Sequence, residues 1–255
     1  MWSVLVSSLI RFILQLKLKL LFLFIFLFLN QEDPPDPNNL FCSCTSVTAL
    51  ANYFVPERHM FYTDVAPALT SRYRHGAAGV GGKLYLAGGR SLDDTIIPSI
   101  EMYDPVTNMW AEVAQWVDAT SDCAVASYGN SVYMFGGYTA FYDVSDLVTT
   151  FNVNTLEFST AHATMPLGRG DVHAQVLGGS AFILGGWAFD FCESERSAYE
   201  YSFSSDTFTV LPDMTFPRGD LAIGVMGSSI FAIGGTLHVS FQTTFSCSLC
   251  IRLCR

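Results

Sequence analysis

The sequence has few charged residues, and basic residues are the scarcer of the two signs. It contains 13 Lys and Arg against 23 Asp and Glu, a formal net charge of −10. Arg11, Lys17 and Lys19 lie in the first thirty positions, so the rest of the chain carries 10 basic against 23 acidic residues, a balance of −13. A surface of this sign repels a phosphate backbone, and we therefore expect no nucleic acid partner.

Recognisable catalytic motifs are also missing. The sequence contains no nucleophile elbow, phosphate-binding loop or paired-carboxylate site, and its five histidines share no common spacing. Asp93-Asp94 is interpreted as a solvated turn. The sequence therefore predicts a protein that is not an enzyme and uses no cofactor or catalytic metal.

The seven cysteines match no disulfide framework, because their number is odd and their spacing irregular. Cys42–Cys44 and the cluster within 247–254 are candidates for terminal disulfides if the chain is secreted. A zinc site at these positions is less favoured, because no histidine accompanies either cluster. Cys123 and Cys192 are expected to pack as small apolar residues within the repeats.

Glycine and aromatic residues, by contrast, are abundant and periodic. Gly-Gly pairs recur at intervals of 48, 49 and 49 residues, at Gly88-Gly89, Gly136-Gly137, Gly185-Gly186 and Gly234-Gly235. Each pair follows an apolar strand, a glycine-led turn and a second strand with an aromatic residue, at Tyr85, Tyr133, Phe182 and Phe231. Because such turns accept positive φ, each unit predicts a tight β-hairpin.

A second landmark keeps the same period. Two aromatic residues bracket a polar turn in four segments, Phe54 to Phe61, Tyr103 to Trp110, Phe151 to Phe158 and Tyr201 to Phe208. Such a segment predicts a second hairpin in each unit. A period near 50 with four strands per unit is typical of a propeller blade.

Together these residues resemble the kelch repeat, with its double glycine, its following aromatic residue and a Trp beyond. The resemblance covers roughly residues 50 to 236. It implies an all-β fold, a kelch-type β-propeller of about four blade equivalents, within the superfamily that includes galactose oxidase-like propellers.

The repeats begin and end in mid-unit. The segment from Phe54 to Phe61 supplies outer strands without a preceding Gly-Gly hairpin, and the fourth such hairpin lacks its outer strands. The N-terminal strands could complete the last hairpin as one composite blade and close a small ring. Alternatively the ring is incomplete, and the loss of the pattern after Gln242 favours this second arrangement.

The terminal segments differ from the repeats in composition. Residues 1–29 place basic residues ahead of an unbroken apolar run, which predicts a signal peptide or a membrane anchor. We assign residues 30–46 to a Pro-rich linker, 47–241 to the propeller repeats and 242–255 to a Cys-containing tail. The expected location is secreted or membrane-anchored, on the non-cytoplasmic side; it is cytoplasmic if the first segment is an artefact of the gene model.

Aligning the hairpins brings Arg72, Arg169 and Arg218 to one position, sixteen residues before each Gly-Gly pair, where the remaining repeat has Thr120. Repeats place such loops on a common face. Similar kelch adaptors of ubiquitin ligases hold acidic peptides with arginines here, so the resemblance implies that these three are ligand residues. The alternative is an architectural clamp, in which each Arg pairs with an Asp of its own or the neighbouring blade.

Tyr138 and Trp187 directly follow Gly-Gly pairs, where an aromatic residue could either anchor a ligand or cover the blade below. The predicted function is non-catalytic binding of a protein or peptide ligand through the loop face of the propeller. The alternative is a secreted or membrane-anchored propeller that is carbohydrate-active or resembles the copper oxidases.

Overall fold

The computed structural model describes residues 47–188 and 194–236, and these form an array of β-strands. One 3-10 turn, Pro56–Arg58, accompanies sixteen strands in this part of the chain. The strands are β1 Tyr53–Val55, β2 Met60–Tyr62, β3 Gly76–Val80, β4 Lys83–Ala87, β5 Ser99–Asp104, β6 Met109–Gln115, β7 Ala124–Tyr128, β8 Ser131–Phe135, β9 Val148–Asn152, β10 Glu157–Ser159, β11 His173–Leu177, β12 Ser180–Leu184, β13 Ala198–Ser202, β14 Thr207–Leu211, β15 Ala222–Met226 and β16 Ser229–Ile233.

The strands form three four-stranded sheets and two two-stranded ones. Sheet I contains β3 to β6, sheet II β7 to β10 and sheet III β11 to β14, each with antiparallel neighbours in chain order. β1 and β2 form the N-terminal hairpin, and β15 and β16 form the C-terminal hairpin. The four-stranded unit predicted from the sequence period is therefore confirmed.

The bracketing aromatic residues pair across the two outer strands of each unit. Their positions are directly opposite one another, as Phe54 with Phe61, Tyr103 with Trp110, Phe151 with Phe158 and Tyr201 with Phe208. The ring centroids of these pairs lie between 4.9 and 5.1 Å apart. Aromatic cross-strand pairs stabilise an antiparallel register, so the polar turn between them closes in the same way in every unit.

Successive sheets pack face to face, with their first strands side by side. The first strands of neighbouring units are in contact, β3 with β7, β7 with β11 and β11 with β15. Aromatic residues fill the space between sheets: Tyr85 of sheet I contacts Phe151 of sheet II, and Phe135 of sheet II contacts Tyr201 of sheet III. The first strands are thus innermost, and the sheets are arranged as the blades of a propeller.

The two terminal hairpins remain separate sheets, so the composite blade that we considered from the sequence does not form among the described residues. The described part contains three complete blades flanked by two hairpins. The segments assigned to 1–29, 30–46 and 242–255 lie outside the described residues, and their boundaries stay predictions. Among the residues that are described, no helix has the length and hydropathy needed to span a bilayer.

Candidate binding site on the loop face

The Gly-Gly pairs join each blade to the next. The N–H of the second glycine donates to a carbonyl of the following blade, from Gly89 to Thr120 (3.1 Å), Gly137 to Arg169 (2.8 Å) and Gly186 to Arg218 (2.8 Å). Both glycines of every pair have positive φ. A Cβ on Gly136 would lie 2.6 Å from the Arg169 carbonyl O, so the close approach of the blades requires glycine.

The residue sixteen positions before each pair has one structural task. Its side chain donates a hydrogen bond to the carbonyl of the first glycine, from Arg72 (3.0 Å), Thr120 (2.9 Å), Arg169 (2.8 Å) and Arg218 (2.5 Å). Arginine and threonine are interchangeable here because the backbone carbonyl needs only a donor. The position therefore closes the loop within its own blade.

Two of these arginines are enclosed by the fold. Arg72 is 2% exposed and forms a 2.5 Å ion pair with Glu101, while burial lowers its pKa against the opposing influence of that carboxylate. Arg169 is fully buried, donates to Ser197 and lies 4.5 Å from the ring centroid of Tyr199. Their assignment as ligand residues stays a prediction, but these contacts favour the architectural alternative.

Arg218, the third arginine, is half-buried, and the bond to the Gly234 carbonyl directs its guanidinium toward its own hairpin. It is therefore the most accessible of the three predicted ligand arginines. The sequence predicted that, in an architectural role, each arginine would pair with an aspartate. The two buried arginines instead contact backbone carbonyls, serines and a glutamate.

Tyr138 and Trp187 cover the neighbouring blade. Tyr138 is fully buried and its hydroxyl donates to Asp171 of sheet III (3.0 Å), and a Cβ on Gly170 would overlap its ring. Trp187 is 8% exposed, its Nε1 donates to Asp220 (3.3 Å), and its ring lies over Gly219 in the same way. The sequence left two interpretations open for these aromatic residues, and the geometry favours packing over the neighbouring blade rather than anchoring a ligand.

Acidic residues meet near the innermost strands. Asp122, Asp171 and Asp220 have equivalent positions in successive blades, and Arg74 has that position in the first. Arg74 forms an ion pair with Asp122 at 3.4 Å. Burial, followed by the adjacent Asp122 and Asp220 carboxylates, raises the pKa of Asp171 to about 8. Among the described residues, no group of His, Cys, Asp and Glu has metal-holding geometry.

A polar cluster that the sequence did not reveal connects the first two blades. Asp94 lies in an exposed turn, as predicted, but its carboxylate also accepts hydrogen bonds from the hydroxyls of Tyr73 (2.8 Å) and Tyr142 (2.6 Å). Arg90 is fully buried, lies 3.8 Å from the ring centroid of Tyr142 and donates to Ser121. Arg90 directly follows a Gly-Gly pair, at the same position in its repeat as Tyr138 and Trp187. This common position was the sequence signal that could have indicated a structural role for Arg90.

The described histidines and the described cysteine have structural surroundings. His75 packs beside Gly89, where burial lowers its pKa to about 4, and His162 contacts Thr150 in sheet II. His173 is the first residue of β11. Cys123 is buried in the core between sheets I and II, as predicted, and burial raises the pKa of its thiol to about 12. The remaining cysteines lie outside the described residues.

The loop face carries an open groove between the first two blades. In an antiparallel meander the loops between second and third strands share a face with the connections between blades, and the tight hairpin turns lie opposite. The loop-face groove has a volume of about 530 Å³ and is lined by residues within 95–98, 117–120 and 139–147, which belong to the longer loop segments 91–98, 116–122 and 138–147. Its apolar lining includes Ile96, Pro98, Val117, Ala140, Phe141 and Leu147.

Two apolar side chains of this groove are almost fully accessible. Phe141 is 88% exposed and Val117 is 91% exposed, although both lie in the loop region next to well-packed blades. Neither was among the predicted site residues. The sequence offered one signal: Phe141 occupies the position where two other repeats have aspartate, at Asp93 and Asp190.

Repeated antiparallel blades and glycine-mediated contacts between them define a β-propeller. A family model for the Kelch motif matches residues 71–115 and 168–215. The chain thus contains Kelch motifs, and its described part has the fold of a kelch-type β-propeller.

Comparisons with known proteins agree with this fold. Kelch-like protein 25 of Xenopus tropicalis is 30% identical over 162 residues, which cover 60% of this chain and 27% of the relative. An F-box/kelch-repeat protein of Arabidopsis thaliana is 32% identical over 106 residues, covering 41% of this chain and 27% of the relative. The chain thus spans about a quarter of the length of these curated relatives.

Among solved structures, that of YjhT superimposes with a TM-score of 0.67 at 14% identity, covering 73% of this chain and 66% of that one. At this identity the likeness concerns the fold alone.

Proposed function

We propose that this chain binds a protein or peptide, without catalysing a reaction, and that the loop-face groove is its contact site. The kelch-like relatives support an interaction role at this coarse level. Within the described residues, the buried arginines, tyrosine and tryptophan are engaged by the fold itself. The accessible groove is therefore the stronger candidate for contact with a partner.

The observation that carries the proposal is the exposure of Phe141 and Val117, which line the same groove on loops held by the sheets. Fully accessible large apolar side chains that line a concave surface are typical of interaction sites. Loops of this kind vary without disturbing the core, which suits recognition.

A random-peptide display selection against the purified full chain tests this proposal. Peptides enriched on the wild-type chain should lose binding to Val117→Ser and to Phe141→Ser. Val106→Ser is a matched control, because Val106 is 92% exposed in the turn between β5 and β6 on the opposite face. Peptide binding that is indifferent to both groove variants would exclude the groove as the site.

A carbohydrate ligand is tested in parallel. Retention of the wild-type chain on a glycan array, lost in Phe141→Ser, would replace the peptide proposal by the carbohydrate-active alternative. The secreted or membrane-anchored location is likewise a proposal, supported by the composition of residues 1–29. Protease protection of the repeats in sealed microsomes tests it, and full digestion from the cytoplasmic side would contradict it.

A further inference from the structure

We propose that the partner of the loop-face groove presents a bulky apolar side chain flanked by lysine or arginine residues. This inference rests on the proposed function of the groove and adds the chemistry of its occupant. The three groove segments contribute the apolar floor described above, and their charges specify what should surround the apolar anchor.

The charge of these segments has a single sign. Residues 91–98, 116–122 and 138–147 together contain six aspartates and no lysine, arginine or histidine. The aspartates are Asp93, Asp94, Asp118, Asp122, Asp143 and Asp146. A random surface of this chain would also be acidic, but the loops that contain these segments carry no exposed basic residue, since Arg90, just before the first segment, is fully buried. This concentrates the negative potential on the loops that line one apolar surface.

Four members of this set are exposed, and one of them lines the groove. Asp118 lines the groove directly, and Asp93, Asp143 and Asp146 are exposed elsewhere on the loops that contribute to it. Asp94 and Asp122 are committed inside the fold to Tyr73 and Arg74. Four exposed carboxylates therefore remain to face a partner.

The nearby cations are already engaged. Arg90 is fully buried beneath the ring of Tyr142 and bonds the Thr139 carbonyl (2.6 Å), so its charge is directed into the protein. Arg74 is the nearest exposed cation on the described loops before the first blade, and it forms the ion pair with Asp122. An acidic peptide would thus meet four carboxylates with little compensation, whereas lysine or arginine beside the apolar anchor would be attracted by them.

Because the four carboxylates are exposed, their individual effects are screened and modest. Loss of one should weaken binding about two- to five-fold at low ionic strength, and high salt should reduce the difference. Loss of the apolar contact should have the larger effect, since a central apolar anchor dominates the energetics of most small interfaces.

The display selection supplies the probes for the test. Peptides enriched on the full-length wild-type chain should combine Phe, Trp, Leu or Met with several Lys or Arg. One enriched peptide is then synthesised with its basic residues intact and with each replaced by Glu, and both are titrated by fluorescence anisotropy at low and high salt. Asp118→Asn should weaken the basic peptide two- to five-fold, whereas Glu157→Gln, on exposed outer strand β10, should leave it unchanged.

The outcomes separate this inference from the proposed function. Enriched peptides that depend on Val117 and Phe141 but are neutral or acidic would overturn the basic chemistry and leave the groove as a binding site. Peptides that ignore both groove residues would overturn both proposals. A dimer in light scattering that Val117→Ser dissociates would make a second copy of the chain the occupant, and would also overturn the inference.

Discussion

The requirement for glycine at the junction between blades can be tested by comparing Gly136, which has the next blade against it, with Gly234, which has none among the described residues. A Cβ on Gly136 would lie 2.6 Å from the carbonyl O of Arg169, whereas a Cβ on Gly234 would meet no atom within 4 Å in the described part of the chain. The φ angles are 65° and 66°, so Ala costs both sites the same backbone strain, about 1–2 kcal/mol.

The additional cost at Gly136 comes from the adjacent sheet III. An ordinary contact needs a separation beyond 3.4 Å, so the Arg169 carbonyl must be displaced and its hydrogen bond from Gly137 (2.8 Å) weakened. That bond contributes about 1 kcal/mol, and overpacking against a backbone atom costs a further 1–3 kcal/mol. We therefore expect Gly136→Ala to lose roughly 3–6 kcal/mol of unfolding free energy, and Gly234→Ala roughly 1–2 kcal/mol.

Urea unfolding of the full chain, followed by tryptophan fluorescence and by far-UV circular dichroism, measures both variants. The two probes must agree before a free energy is assigned, because repeat arrays can unfold in parts. Faster hydrogen exchange at the Gly137 amide in Gly136→Ala would locate the effect at the junction between sheets II and III. Equal losses in the two variants would refute the idea that the first glycine is required by the neighbouring blade.

Three further predictions concern the polar positions of the repeat. Arg169→Ala should lower the free energy of unfolding in urea by about 3–5 kcal/mol, because buried carbonyls lose their charged donor. Arg218→Ala should lower it by less, because Arg218 is half-buried. Equal losses in the two variants would contradict this difference in burial. Thr120→Val should lower the free energy of unfolding by about 1–2 kcal/mol, because it removes the donor to the Gly136 carbonyl, whereas Thr120→Ser should stay near wild type. A Val variant as stable as wild type would show that this hydrogen bond is not needed to close the blade. The pKa of Asp171 is about 8 in the folded state and near 4 in the unfolded state, so the folded state binds an extra proton between these pH values. The free energy of unfolding should therefore fall as pH rises from 4 to 8, by at most about 1.4 kcal/mol per pH unit. Asp171→Asn should flatten this slope in unfolding curves measured across that range, and parallel pH profiles would contradict the shift.

The architecture was predictable because its determinants are local and repeated. Each Gly-Gly pair ends a hairpin, and each aromatic pair sits directly across two strands, so the sequence period specified both hairpins of a blade. The state of the terminal hairpins was less strongly determined: the sequence left a composite blade and an incomplete ring open, and the loss of the pattern after Gln242 favoured the incomplete ring. The outcome depends on how β1 and β2 lie relative to β15 and β16, and no local pattern encodes that distance.

The candidate site was harder to predict, since its residues depend on burial. Arg169 and Tyr138 have side chains that commonly bind ligands, but their surroundings consist of a carbonyl cage and a neighbouring glycine, which are seen only in three dimensions. The hydrogen bonds that Asp94 accepts could not be predicted because its partners, Tyr73 and Tyr142, lie 21 and 48 residues away. Sequence distance hid the contacts that determine whether a polar residue is available.

The structure of the repeat explains why the polar residues that recur in every blade are not the residues that line the groove. A donor is needed at the position of Arg72 and Thr120, whatever its chemistry, because the carbonyl of a glycine in every blade must be satisfied. A side chain that closes its own blade cannot also be released to a ligand without leaving a buried acceptor unpaired. If the chain binds a partner as proposed, recognition falls to residues such as Phe141, which depart from the repeat and form no contact that the blade requires. On this reasoning, a variant of Phe141 should change what the chain binds while its unfolding curve stays that of the wild type, and a loss of stability comparable to that of Arg169→Ala would show that the division between architecture and recognition is wrong.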